Sequence, residues 1–155
     1  MKWIIPDVIK IYEALGTIAD GRIEVDGDSA KVYSSSGGKF YTITYDGSKN
    51  AIMSNDNAAY WRGYLGYPAI TFLLKTGKID YDPRYADMLK GIAWKDINVK
   101  FKNDFDKTVV YVREMLSKNG TDMNGFDSEV ERIRARLKEL DLDMLGPRAK
   151  PPAGY

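Results

Sequence analysis

Apolar residues recur at helical spacing directly after Pro6, where Val8, Ile11, Tyr12, Leu15 and Ile18 fall three or four positions apart and Gly21 offers a stop. The spacing predicts a helix over 7–19, with Pro6 and Asp7 suited to its first turn. The period then changes to two. Four short stretches, 22–25, 30–34, 39–45 and 50–54, are separated by Asp26-Gly27-Asp28, Ser35-Ser36-Gly37-Gly38 and Asp46-Gly47-Ser48. Such turns supply the positive φ angles of tight hairpins, so an antiparallel meander of four strands is expected. Within the third stretch Tyr41, Ile43 and Tyr45 alternate with Phe40, Thr42 and Thr44, which predicts one covered and one open sheet face.

Helical character returns after residue 54. Asn57 reads as the cap of a short helix through Tyr60, Trp61 and Leu65, stopped by Gly66. Pro68 opens a second helix whose run from Ala69 to Leu74 has almost no polar face, the mark of a core element. Asp82-Pro83 is a cap and first-turn proline ahead of Tyr85, Leu89 and Ile92. The stretch 94–105 fits both periods: Ile97, Val99 and Phe101 alternate, whereas Trp94, Ile97, Phe101 and Phe105 keep helical spacing. Continuation through Val109, Val112 and Leu116 favours helix, interrupted at Asn103, recapped by Asp104 and stopped at Gly120. A last helix is expected from Asp127 or Ser128, where Ser128 and Glu131 have capping-box spacing, with a seam of Val130, Ile133, Leu137, Leu140 and Met144. The fold class is therefore α+β: an N-terminal helix, a small antiparallel meander sheet over about 22–54, and a largely helical remainder packed on one face. Residues 1–145 are expected to form one domain, and the proline-rich 146–155 a disordered tail.

Composition narrows the chemistry. The 155 residues are 44% apolar and 29% charged, ordinary for a globular chain. With 23 Lys+Arg against 22 Asp+Glu the formal net charge is +1, so no field of one sign draws in a polyanion, and nucleic acid is not favoured as a partner. Cysteine and histidine are both absent. That removes thiolate nucleophiles, disulfides, histidine triads and the usual zinc ligands, and it lowers the expectation of catalysis. No cofactor or metal site is expected. No apolar run reaches the length of a membrane span, and a cytoplasmic setting is the expectation.

Motif matches dissolve on inspection. Ser36-Gly37-Gly38-Lys39 has the S-x-x-K form but sits in a hairpin turn, Asn119-Gly120-Thr121 is better read as a helix end, and Gly77-Lys78 lacks the first glycine of a phosphate loop. The aspartate pairs 26/28, 80/82, 104/106 and 141/143 fall at turns and helix ends, where aspartate caps backbone N–H groups.

The candidate site is the junction between sheet and helices, where Asn55, Asp56, Asn57, Tyr60, Trp61, Arg62, Tyr64 and Tyr67 gather amides, a carboxylate, an arginine and four large aromatics in one short stretch. Tyrosine and tryptophan join a broad apolar face to a polar tip, suited to a planar ligand or a protein partner. The first reading is a non-enzymatic binding or interaction module with an aromatic and polar cleft over 54–67, possible as a homodimer through 128–144. An alternative enzyme would use Asp56 as base or magnesium ligand, Arg62 as anion clamp and Tyr60 or Tyr64 as proton donor. A third reading, a single-stranded nucleic-acid binder, would stack bases on exposed sheet tyrosines such as Tyr33, Tyr41 or Tyr45. A weaker constellation sets Trp94 beside Lys95, Lys100, Lys102 and Lys107.

Overall fold

The computed structural model describes residues 1–153; the last two residues of the expected tail lie outside the described residues. Its order is α1 (Val8–Ala19), β1 (Ile23–Asp26), β2 (Ser29–Tyr33), β3 (Phe40–Asp46), β4 (Ala51–Ser54), α2 (Asn57–Arg62), α3 (Tyr67–Lys75), α4 (Pro83–Met88), α5 (Trp94–Lys100), α6 (Phe105–Lys118), α7 (Met123–Leu140) and β5 (Asp143–Met144). The α+β class is as the periods predict, with the meander in the order β1-β2-β3-β4. Tyr41 and Ile43 face the helices, while Phe40, Thr42 and Thr44 are exposed on the other side.

A fifth strand was not foreseen. β5 adds to β4 in parallel, pairing Ala51 with Asp143 and Ile52 with Met144, so the sheet is mixed. Met144 thus belongs to a strand and not to a helical seam, because Asp141 at φ 48° turns the chain out of α7. The N-terminal residues carry the edge further: Trp3 N donates to Leu142 O, Met144 N to Met1 O and Leu65 N to Ile4 O. Trp3 is buried beneath, its indole N–H donating to Ile52 O at 2.9 Å.

Three helix boundaries also differ from expectation. Asp56, not Asn57, caps α2, and the helix stops at Gly63 rather than Gly66. Gly63 adopts φ 68° and its successor is drawn into pairing with Ile4, which ends the helix before Leu65. α7 begins at Met123, capped by Asp122 on Gly125 N, so Phe126 lies inside it and Ser128 is mid-helix. Over 94–105 the helical reading holds: α5 ends at Lys100 with Phe101 as its C-cap, Lys102 and Asn103 take φ 54° and 61°, and Asp104 caps α6 through Lys107 N.

The core lies between the inner sheet face and α1, α3 and α7, around Tyr12, Leu15, Ile43, Ile52, Phe72, Phe126 and Ile133. α1 is buried on nearly every side, Glu13 and Thr17 included, so the apolar stripe through Val8 and Ile18 describes only part of its packing. Gly16 lets α1 approach its neighbours closely; a Cβ there would lie 3.0 Å from both Leu89 O and Trp94 Nε1. The apolar positions Val130, Ile133 and Leu137 of α7 are buried within the chain itself, so that seam is not a surface on which a second copy could dock.

Candidate functional site

The stretch 54–67 does not close into one cleft; it divides into an inward and an outward set. Asp56 turns inward and is 4% exposed. Ser54 Oγ donates to its Oδ1 at 2.6 Å and Ala59 N to its Oδ2 at 3.2 Å, so one carboxylate ties the end of β4 to the first turn of α2. It also reaches α3, because Gly66, the N-cap residue there, leaves room only for hydrogen beside the same carboxylate. Asn55 serves the sheet: its Oδ1 accepts from Thr42 N at 2.8 Å, standing in for a strand partner where β4 has ended. Tyr67 packs edge-on against Tyr41, with ring centroids 6.2 Å apart.

The polar groups nearest this inner set come from α1 and were missed from the sequence. Lys10 Nζ lies 3.3 Å from Glu13 Oε1, in a pair whose side chains are largely removed from solvent. Thr17 Oγ1 donates to Glu13 O, and Arg22 extends the line by donating to Thr17 Oγ1, Asp20 Oδ2 and Tyr33 O. The signal was present: Ile9, Glu13, Gly16 and Thr17 share a helical face, and a charge on a face that also carries Ile9 marks a buried polar position.

Burial pushes the Asp56 carboxyl above the ordinary carboxylate range, opposed by the Ser54 hydroxyl, the Ala59 amide and the charge of Lys10. Burial likewise raises the Tyr67 phenol, and the negative charge of Glu13 adds to the rise. A folded-state pKa raised above the unfolded value gives stability that is fully present below the unfolded value and is lost as pH climbs through the folded one. Asp56→Asn keeps a good cap and carries no charge to desolvate. The variant should therefore match the wild type near pH 4 and gain on it progressively toward pH 8 (ordinary Asp pKa about 3.9). Thermal melts of both proteins across that range measure the difference, and a difference that stays constant with pH would rule out the coupling.

The outward set is aromatic and cationic. Trp61 is 68% exposed and Tyr64 37%, and Ile4, the bridge partner of Tyr64, is 53% exposed. Trp61 is held edge-on by Tyr60, with centroids 4.8 Å apart. Arg148 reaches back from beyond β5, donating to Tyr60 O at 3.2 Å and lying where a Cβ on Gly63 would meet Nη2 at 2.7 Å. Arg62 and Asn57 are exposed, and neither Arg62 nor Arg148 is in an ion pair among the described residues.

The enzyme arrangement is thus not assembled, since Asp56 is buried as a cap while Arg62 points into solvent. Of the sheet tyrosines named for base stacking, Tyr41 and Tyr45 face the core; Tyr33 is on the open face, its hydroxyl donating to Glu24 at 3.2 Å. Trp94 is buried, so its ring is not displayed for stacking. Among the described residues no cluster of three or more acidic side chains could hold a metal, and no helix is long and apolar enough to cross a membrane.

A protein-family model described as uncharacterised conserved protein UCP014422 matches residues 3–143. The chain belongs to this family. No curated protein and no solved structure matches it. The family match takes in α1 through α7, and with them both the Asp56 lock and the Trp61 surface, while Arg148 lies beyond it.

Proposed function

We propose that the protein is a binding module that docks a protein partner on the aromatic surface formed by Trp61, Tyr64 and Ile4. The observation that supports this most is the placement of Trp61. A tryptophan left two-thirds in water would ordinarily be buried, yet here it is presented on a one-and-a-half-turn helix that the Asp56 cap, the Gly63 stop and the Tyr60 ring all hold in place. Rigid aromatic anchors lose little conformational entropy on binding and dominate interface energetics. Arg62, exposed on α2, and Arg148, which reaches Tyr60 O, are in no ion pair among the described residues and suit a partner that sets carboxylates around an apolar or aromatic centre. A cytoplasmic setting accords with the absence of cysteine.

The test is a selection of displayed random peptides on the wild-type chain, followed by titration of the enriched sequences. Peptides carrying an acidic and aromatic motif are expected. Trp61→Ala should weaken them at least about tenfold, or ~1.4 kcal/mol, while Phe40→Ala on the opposite sheet face should leave them unchanged. Enrichment of nothing, or peptides that bind Trp61→Ala as well as the wild type, would sink the reading.

A further inference from the structure

A second surface stands apart from the Trp61 patch, on α6. This helix buries only Thr108, Val112 and Leu116, a stripe at four-residue spacing that faces the body of the protein. Its outer stripe is Lys107, Val110, Tyr111 and Glu114, all exposed, with Val110 at 57%. Val110 and Tyr111 line a shallow groove of about 420 Å³ together with Phe101, which follows the last residue of α5. Phe101 stands edge-on to Tyr111 at 5.8 Å, and Lys100 Nζ caps both rings at 5.3 and 5.0 Å. Even so, Tyr111 remains 38% exposed.

The order of this stripe is its informative property. Read forward it is cation, apolar, apolar, anion at intervals of three, one and three residues; read backward it is the same pattern with the charges exchanged. A twofold interface has that requirement, because residue i meets residue j of the partner and residue j meets residue i. With two α6 helices antiparallel about an axis between Val110 and Tyr111, Lys107 and Glu114 each lie roughly 5 Å along the helix from the axis, on opposite sides. Each Lys107 then stands opposite the other copy's Glu114, and each Val110 opposite the other copy's Tyr111. Lys107 has only a long 3.9 Å contact with Asp104, and Glu114 is in no ion pair among the described residues, so both are available for the cross-pairing. The net charge of +1 sets no long-range repulsion between copies.

From this self-complementary stripe we infer that the occupant of the α6 surface is a second copy of this chain, joined antiparallel about Val110 and Tyr111. The homodimer anticipated through 128–144 is thereby moved to a different helix. It would display two Trp61 surfaces, but the inference does not depend on that reading.

Sedimentation of the full chain over a wide concentration range tests it, with a dimer of twice 17.5 kDa expected. Val110→Asp should give monomer with an unchanged circular dichroism spectrum, since the position is exposed. Lys107→Glu alone and Glu114→Lys alone each set like charges across the axis and should weaken association at least about tenfold, whereas the double exchange restores opposite charges and should recover the wild-type constant within about threefold. A wild type that stays monomeric at all concentrations, a dimer that survives Val110→Asp, or a double exchange no better than either single would overturn the inference. A dimer lost with Trp61→Ala instead would place self-association on the other surface and overturn it as well.

Discussion

Gly66→Ala is expected to cost about 3 kcal/mol and to lower the melting temperature by roughly 6–12 °C. The backbone is not the reason, because Gly66 has φ −76°, a value alanine adopts freely. The cost is steric. An added Cβ would sit 2.7 Å from Asp56 Cγ and 2.9 Å from Oδ1, and nearer still to Oδ2, inside any tolerable contact. A flexible side chain would swing aside, but this one is buried and held by Ser54 Oγ and Ala59 N. Displacing it strips the cap from α2, worth about 1 kcal/mol, and leaves the buried Ser54 hydroxyl without its acceptor, a further ~1–3 kcal/mol. Asp56→Ala removes the obstruction, so Asp56→Ala with Gly66→Ala should cost clearly less than the sum of the two singles, with a coupling of about 1 kcal/mol or more in urea denaturation. If Gly66→Ala unfolds within about 0.5 kcal/mol of the wild type, the carboxylate is free to move and the lock does not exist. Because α2 is held by this lock, the variant should also loosen the presentation of Trp61.

Phe126→Ala should cost about 3–5 kcal/mol. Its ring is fully buried, meeting Tyr12 of α1 edge-on at 5.1 Å and Tyr85 of α4 at 6.1 Å. Next to it the Arg113 guanidinium spans three helices, paired with Asp127 and donating to Tyr12 Oη at 3.1 Å. A cavity here opens at the meeting of α1, α4, α6 and α7, where a polar bridge fixes the backbone spacing and limits collapse. Phe126→Leu, which keeps most of the apolar volume and loses only the ring edges, should cost about 1–2 kcal/mol. Both are measured by chemical denaturation at a single pH. A Phe126→Ala cost below about 1 kcal/mol would mean that the first turn of α7 packs loosely, contrary to its burial. Against a total stability of ~5–15 kcal/mol, either this change or Gly66→Ala consumes a large share.

The site was legible only in part. That 54–67 is a junction rich in aromatic and polar groups could be read directly, and Trp61 and Tyr64 are displayed there. Which groups point inward could not. Asp56 and Asn57 are both good caps, and choosing between them requires knowing that Ser54 and Gly66 converge on one carboxylate, a contact made by three separate elements. Lys10 and Glu13 escaped notice because an amphipathic reading expects charged residues of a helix to face water, whereas α1 is enclosed by α3, α4 and α7.

Local patterns by themselves determined the helices, the hairpin turns, the inner face of β3, the break at Asn103 and the central place of α3, since propensity, turn chemistry and period are properties of neighbouring residues. Tertiary structure alone decided the rest. β5 has two residues, too few for any period to register, and exists only because Asn50 O and Ile52 O find donors on residues 143 and 145 far along the chain. The early end of α2 follows from pairing with Ile4; the early start of α7 has a local cap in Asp122, and what tertiary structure adds is the burial of Phe126 between Tyr12 and Tyr85. At β5 and at the end of α2 a long-range contact outweighed a local preference of a few tenths to about one kcal/mol, because satisfying a backbone group is worth as much or more.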